Sequence, residues 1–553
     1  MSLIHGPTSS PLSNKTISTL IAEQTTHHGD KPAIIVPWQS IRLTYRQLSE
    51  RSAVIAKAML EVGLRKGDCV GIMAGNCHEY IEVFLGGARI GCPVVVLNSF
   101  YTGEEVKRAV MLTSCKLVFI AKRIGQRDLS SHAEMLRGLP ELDRVVCLEG
   151  TLDQVQSYNA FTSNRHSVFM KDAILHRAEK MVTPSDILNL QFTSGTTGSP
   201  KAAMLTHKYQ PHQQRFLCRK RPPPLPIRHH LLPTPLFHCF GLVMGFLASF
   251  THGSSIIFPS DFFNPAAVVD ALIAENATVL LGVPTMYIAE MEVMQKTGQK
   301  PTSLRTGLAS GSAVSMTLMN TLRGRMGVEK MLIAYGMTET SPVTFITSMD
   351  DSDEKRSSTI GKVMPHCAAK IVDKKGDIVD RGVRGEICTS GYVLQKGYWR
   401  NEEKTREVMK VDDEGVVWMY TGDEGYIDEE GYGHVTGRIK DIIIRGGENI
   451  WPTEIEERLI SHPLISEASV VGLKDERYGE AVGCFLKAAS KLSDKEVQDW
   501  VSQTLGRHKA PKHIFWIGDA RVGDDFPKTG SGKHQKHVMR AMGDRLIAIK
   551  ARL

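Results

Sequence analysis

The sequence predicts an α/β fold: a large N-terminal α/β domain of several subdomains, then a small α+β domain at the C-terminus. Two observations carry this. From about residue 18 to 436, apolar runs of strand length alternate with amphipathic helical patterns, as in layered folds with mainly parallel strands. Near Gly437-Arg438-Ile439-Lys440-Asp441 the composition changes, and about 110 residues of shorter, mixed elements follow.

The elements follow in chain order. Residues 1–17 are rich in Ser, Thr and Pro and read as a loose arm. The runs CVGIMAG (69–75), GCPVVVL (91–97), KLVFIA (116–121) and RVVCLEG (144–150) read as buried strands, and Tyr45 to Leu60 reads as a helix. After residue 441 come a strand, DIIIRGG, and a helix, TEIEERLISH, with Ile455, Leu459 and Ile460 expected on one side. A strand, EASVVGL, and a helix opened by the capping box Ser493-x-x-Glu496 complete the pattern. Residues 209–234 disagree with their surroundings. They contain three consecutive prolines and the basic cluster Arg219-Lys220-Arg221 without one acidic residue. Proline fixes φ and removes backbone donors, so no regular helix is expected there. An extended proline-rich loop, a basic contact patch and a reading-frame slip are the readings of this segment.

At 553 residues the chain has room for several domains. Its content of 42% hydrophobic and 23% charged residues is that of a soluble globular protein. A net charge of +7, from 67 basic and 60 acidic residues, is too mild to indicate a nucleic-acid partner. The ten cysteines are scattered without a C-x-x-C pair, which argues against a zinc cage or a redox motif and suits a reducing compartment. Phe237 to Phe250, the longest mainly apolar stretch, is shorter than the ~20 residues of a spanning helix, and no signal peptide is visible. An intracellular protein is expected. The last residues, Ala551-Arg552-Leu553, resemble the Ser-Lys-Leu address read by the peroxisomal import receptor. A peroxisomal location is therefore the expectation, with the cytoplasm as its alternative.

One loop points to chemistry. In LNLQFTSGTTGSPKAAMLTH, Thr193, Ser194, Gly195, Thr196, Thr197, Gly198, Ser199, Pro200 and Lys201 combine hydroxyls, glycines and a cation. Glycine lets backbone N–H groups approach phosphate closely, and the lysine adds a point charge. The P-loop pattern G-x-x-x-x-G-K-[ST] fails, because Lys201 follows Pro200 and precedes Ala202. By itself the loop reads as a phosphate binder.

Further stretches extend this reading: PLFH (235–238), YGMTETSP (335–342), YTGD (420–423), GRIKDIIIRGGENIWPTEIE (437–456) and PKTGSGK (527–533). With the loop they closely resemble, in order, the signatures of the adenylate-forming superfamily. The chain from about residue 30 onward, apart from 209–234, is similar to its acyl-CoA ligases, particularly medium-chain acyl-CoA synthetases and fungal peroxisomal ligases of toxin biosynthesis. The resemblance implies the adenylate-forming enzyme fold, with a mobile C-terminal domain (442–553) joined through a hinge (437–441) to the large domain (18–436). It implies a carboxylic acid as substrate, with ATP, Mg²⁺ and coenzyme A. The acid attacks the α-phosphate to give acyl-adenylate and pyrophosphate, and the CoA thiol then displaces AMP.

Residue roles follow from the same resemblance. The loop to Lys201 would hold the β- and γ-phosphates. Glu339 would be the magnesium ligand and Thr338 would touch the α-phosphate, with Gly336, Met337 and Thr340 around them and Tyr335 stacked on adenine. Asp423 would accept both ribose hydroxyls, helped by Arg438. Lys533 would bridge the acyl oxygen and the α-phosphate as negative charge builds. Lys440 would be the hinge residue, and Gly446, Gly447 and Glu448 would shape the pantetheine tunnel. His238 would border the acyl pocket, whose walls would include Gly282 and Gly311. Their mostly apolar surroundings suit an alkyl or polyene chain.

The family has a pocket-packing helix where this chain has 209–234. Suitable length with foreign composition is what a compensated pair of frame shifts would leave, so a weakened or inactive descendant is one rival reading. Adenylation for a carrier protein is another, with no fused carrier domain expected from the 20 residues after Lys533. Nothing in the sequence favours a luciferase-like oxidation.

Overall fold

Of the 553 residues, the computed structural model describes 1–9, 11–163, 172–193, 201–209, 229–310, 314, 316–529 and 532–550. These form two compact units. One comprises His5–Ala368 and Ser390–Met419, the other Met1–Ile4, Ala369–Thr389 and Tyr420–Leu553. This division by packing falls elsewhere than the composition change at 437–441.

The larger unit contains two extended sheets. A seven-stranded sheet runs in the order Gln156–Ser157, Arg144–Cys147, Cys115–Ile120, Cys69–Met73, Val94–Val96, Ile187–Thr193, Lys201–Thr206. All its pairs are parallel except the last. The four apolar runs singled out in the sequence supply its buried strands, and the helix Tyr45–Glu61 opens on a complete capping box from Thr44 and Gln47. A nine-stranded sheet has a parallel centre, including Val279–Gly282, Thr306–Ser310 and Lys330–Tyr335, and antiparallel margins. Its core includes Leu231, Ile257, Leu280, Tyr287 and Leu322.

The apolar stretch after the PLFH motif is wound unexpectedly. Phe240–Leu247 is a π-helix, continued by the short α-helix Ala248–Thr251. Among the described residues no helix is long and apolar enough to cross a membrane.

In the smaller unit, five strands form one sheet. Glu448–Ile450, Ile443–Arg445, Gly479–Ala488 and Ile465–Asp475 are its antiparallel path, and His513–Trp516 joins Gly479–Ala488 in parallel. The helix Asp494–Ser502 opens on the expected Ser493–Glu496 capping box. On Pro452–Ile460, Ile455 and Leu459 are fully buried but Ile460 is 47% exposed, which corrects the expected apolar side. At 100° per residue, Ile460 lies about 140° around the helix from Ile455, off the buried stripe.

The N-terminal arm also needs correction. Leu3–His5 is a strand, Ser2 donates its backbone N–H to Val379 O at 2.7 Å, and the Ser2 side chain is buried. The correction is confined to these first residues, since the described Ser/Thr/Pro-rich positions 8, 9 and 11–16 form no helix or strand.

Candidate active site

Two paired strands flank the phosphate-loop candidate. Strands Ile187–Thr193 and Lys201–Thr206 are antiparallel, and Thr193 and Lys201 are cross-strand partners at the end of the pair. Ser194, Gly195, Thr196, Thr197, Gly198, Ser199 and Pro200 lie outside the described residues, as do 210–228 of the atypical segment, Gly311 and the Ala551-Arg552-Leu553 terminus.

Lys201 belongs to a cluster with Glu339. The segment Gln395–Trp399 runs along strand Lys201–Thr206: Lys396 N donates to Met204 O, Met204 N to Gly397 O and Trp399 N to Ala202 O, at 2.8–2.9 Å. This pairing places Tyr398 beneath Lys201, whose Nζ lies 4.9 Å from the ring centroid. The Tyr398 hydroxyl donates to Glu339 Oε1 at 2.8 Å, and Gln395 N donates to the Glu339 carbonyl at 2.8 Å. Glu339 is 5% exposed. Burial and the adjacent carboxylate push the Tyr398 phenol up, so it remains a donor.

The turn carrying Glu339 follows from its sequence. Strand Lys330–Tyr335 ends at Gly336, where a Cβ would stand 2.0 Å from Pro342 O, so only glycine fits. Thr338–Thr340 form a 3₁₀ turn closed by Thr340, whose hydroxyl accepts from Met337 N at 3.0 Å. Thr340 therefore braces the turn. Tyr335 meets Phe345 edge to face, with centroids 6.1 Å apart. The donor set suits Mg²⁺, which takes one or two carboxylates and completes its octahedron with phosphate oxygens and water. Among the described residues no group of three or more His, Cys, Asp and Glu side chains could hold a metal by itself.

Around the acyl-pocket candidates, Asn76 does work that the sequence did not disclose. Its amide donates to Thr234 O at 3.0 Å and accepts from Leu236 N at 2.9 Å, clamping the chain that leads into His238. Gly241 is required beside it, because a Cβ would come within 2.2 Å of Pro235 O. His238 packs its ring 4.3 Å from that of Phe237. The neighbouring Cys239 thiol contacts Gln191 Oε1, and burial pushes its pKa far up, so it is no nucleophile. Gly282 ends its strand with the Tyr287 ring 3.3 Å from where a Cβ would lie.

The smaller unit holds the remaining candidates. Asp423 and Arg438 face each other across the antiparallel pair Val417–Ile427 and Gly433–Arg438. Arg438 Nε lies 3.0 Å from Asp423 Oδ1; the aspartate is buried and the arginine half exposed. Lys440 is exposed within the 3₁₀ turn Ile439–Asp441. Gly446 and Gly447, with φ of +59° and +88°, form the two-residue turn between Ile443–Arg445 and Glu448–Ile450. Glu448 opens the returning strand with its side chain exposed. Lys533 is exposed on a turn closed by Thr529 N to Lys533 O at 2.7 Å and Gly532 N to Thr529 O at 2.8 Å.

The described motif residues thus occupy chemically consistent settings, and comparison with known proteins decides the family. The AMP-binding enzyme profile matches residues 21–399, and the AMP-binding enzyme C-terminal domain profile matches 454–533. The chain belongs to the AMP-binding enzyme family. It is 45% identical to the acyl-CoA ligase sidI of Beauveria bassiana, over 99% of this chain and 95% of that protein. To the mitochondrial medium-chain acyl-CoA ligase ACSF2 of Mus musculus it is 32% identical, over 98% and 89%. ATP-bound MatB from Rhodopseudomonas palustris shares its adenylate-forming fold, with a TM-score of 0.77 and 25% identity over 97% and 100% of the two chains. The protein is accordingly an AMP-forming acid–CoA ligase that uses ATP, Mg²⁺ and CoA.

Proposed function

We propose that this ligase activates a carboxylic acid with a medium-length or polyunsaturated chain, within secondary metabolism and in peroxisomes. The observation that carries the catalytic part is the Lys201–Tyr398–Glu339 cluster, a cation and a buried carboxylate at the foot of the strands flanking the phosphate loop. Glu339 would hold Mg²⁺, which neutralises phosphate charge when bound, and Tyr398 fixes the direction of its carboxylate. Lys201 and the loop would bind the β- and γ-phosphates, Asp423 and Arg438 the ribose, and Tyr335 the adenine. Lys533 would steady the α-phosphate during attack by the acid. Rotation about Lys440 would then exchange Lys533 for the Gly446-Gly447-Glu448 turn, which would line the passage of the CoA thiol.

The apolar residues Leu281 and Met286 near Gly282 support the acyl class, as does the likeness to a medium-chain ligase. The Ala551-Arg552-Leu553 terminus supports the location. Pyrophosphate release from ATP and Mg²⁺ over a panel of acids graded in length and unsaturation tests the substrate class. Preference for short or aromatic acids would refute it, and absence of turnover with any acid would favour a non-catalytic descendant. Imaging of a fluorescent fusion with and without the last three residues tests the location.

A further inference from the structure

Glu467 lies on strand Ile465–Asp475, immediately after an irregularity in its register with Gly479–Ala488. Its Oε1 is held from two sides: by the Lys528 ammonium, Nζ at 2.8 Å, and by the His534 imidazole, Nε2 at 2.8 Å. These two residues face each other in an antiparallel bridge. They form the base of the turn whose far side carries Lys533, and Gln535 N closes the base by donating to Pro527 O at 2.8 Å. Phe526 stacks on the His534 ring, 4.5 Å between centroids and 13° from parallel, so the imidazole has little freedom to swing. One carboxylate oxygen thus joins both legs of the turn to the rigid sheet.

We propose that Glu467 is a positioning residue for adenylation: by tying Lys528 and His534 together, it fixes the path along which Lys533 is presented. The proposal rests on the assignment of Lys533 to the adenylation step. Lys533 itself has four rotatable side-chain bonds, so its reach is reproducible only if its backbone is fixed. The turn is closed internally by the Thr529–Lys533 bonds, and the ion-paired base ties it to the sheet. A displacement of about 1 Å at a reacting group costs up to about 100-fold in rate, which sets the expected scale.

The test uses the full chain and the best acid from the panel. Single-turnover pyrophosphate release reads adenylation; thioester formation from supplied acyl-adenylate and CoA reads the second half-reaction. Glu467→Gln, nearly isosteric, should slow adenylation about 10-fold and Glu467→Ala up to about 100-fold, with thioester formation and the KM for ATP unchanged. Lys528→Arg should retain adenylation where Lys528→Met loses it. In a Lys533→Ala background, Glu467→Ala should add no further loss. Equal loss in both half-reactions, or additive loss in the double variant, would show general damage and overturn the proposal. Full adenylation by Glu467→Ala would overturn it too. If Lys533→Ala alone retains adenylation, the assignment beneath the proposal fails, and the single variants make that failure distinguishable.

Discussion

Glu339 and Lys533 occupy opposite kinds of setting. The carboxylate is buried, its carbonyl and one oxygen are bonded by the segment that lies along strand Lys201–Thr206, and a required glycine shapes its turn. The lysine stands exposed at the end of a turn with an ion-paired base. A metal-binding carboxylate gains from a fixed direction, so its support is backbone pairing and burial. A cation expected to serve only one of two half-reactions would have to be withdrawn, and support from within its own unit, such as the Glu467 contacts, suits that role. The two regions should therefore fail differently when perturbed.

The largest expected effect is at the exposed end. Lys533→Ala should lower the adenylation rate by on the order of 10²–10³ while thioester formation from supplied acyl-adenylate persists, as rapid-mixing measurements of each half-reaction would reveal. Loss of both would erase the distinction between the regions. At the buried end, Glu339→Gln should cost about 100-fold in adenylation with a raised magnesium requirement, read from a metal titration of pyrophosphate release. Tyr398→Phe removes one hydrogen bond from that carboxylate, and about 10-fold more magnesium should restore the rate. A Tyr398→Phe enzyme with an unchanged magnesium curve would mean that the tyrosine supports packing alone.

The smallest effects sharpen the contrast through pH. In the larger unit, burial pulls the His78 pKa down, but bonds to Glu79 at 3.1 Å and Glu82 at 2.7 Å prevail and raise it to about 9. Its folded value exceeds the ordinary 6.5, so its contribution to stability is complete below 6.5 and is lost as pH rises through about 9. In the smaller unit, burial pushes the Glu467 carboxyl up, but His534 and Lys528 prevail and hold it below 4.5. That contribution is present above 4.5 and disappears as pH falls through the lowered value. Alkali should thus loosen the amides following His78, and acid those flanking Lys533. Hydrogen exchange corrected for intrinsic rates measures both, and the same pH response in both places would contradict the assignment.

Most of the layered fold was legible because its strands are short apolar runs and its helices carry local stop and start signals, such as Thr44 with Gln47 and Ser493 with Glu496. The motif residues were legible because chemistry fixes their types in clusters along the chain. Tyr398, Asn76 and Glu467 were not. Tyr398 reaches Glu339, 59 residues away in the chain, through strand pairing, and nothing local marks it. Asn76 contacts a segment 158 residues away. Ile460 was misplaced because apolar character was counted without its angle around the helix. The strand Leu3–His5 was missed because its three residues were read together with the Ser/Thr/Pro-rich stretch that follows them.

The π-helix Phe240–Leu247 has a consequence for how such a chain tolerates change in length. Its wider coil takes about one residue more than α winding would need for the same number of turns. Deleting a single residue there would let the coil tighten, with Pro235–His238 and Ala248–Thr251 left in place as fixed ends. The stretch is a store of slack, where an insertion or deletion would reshape an apolar wall and spare the sheets on which everything else is mounted.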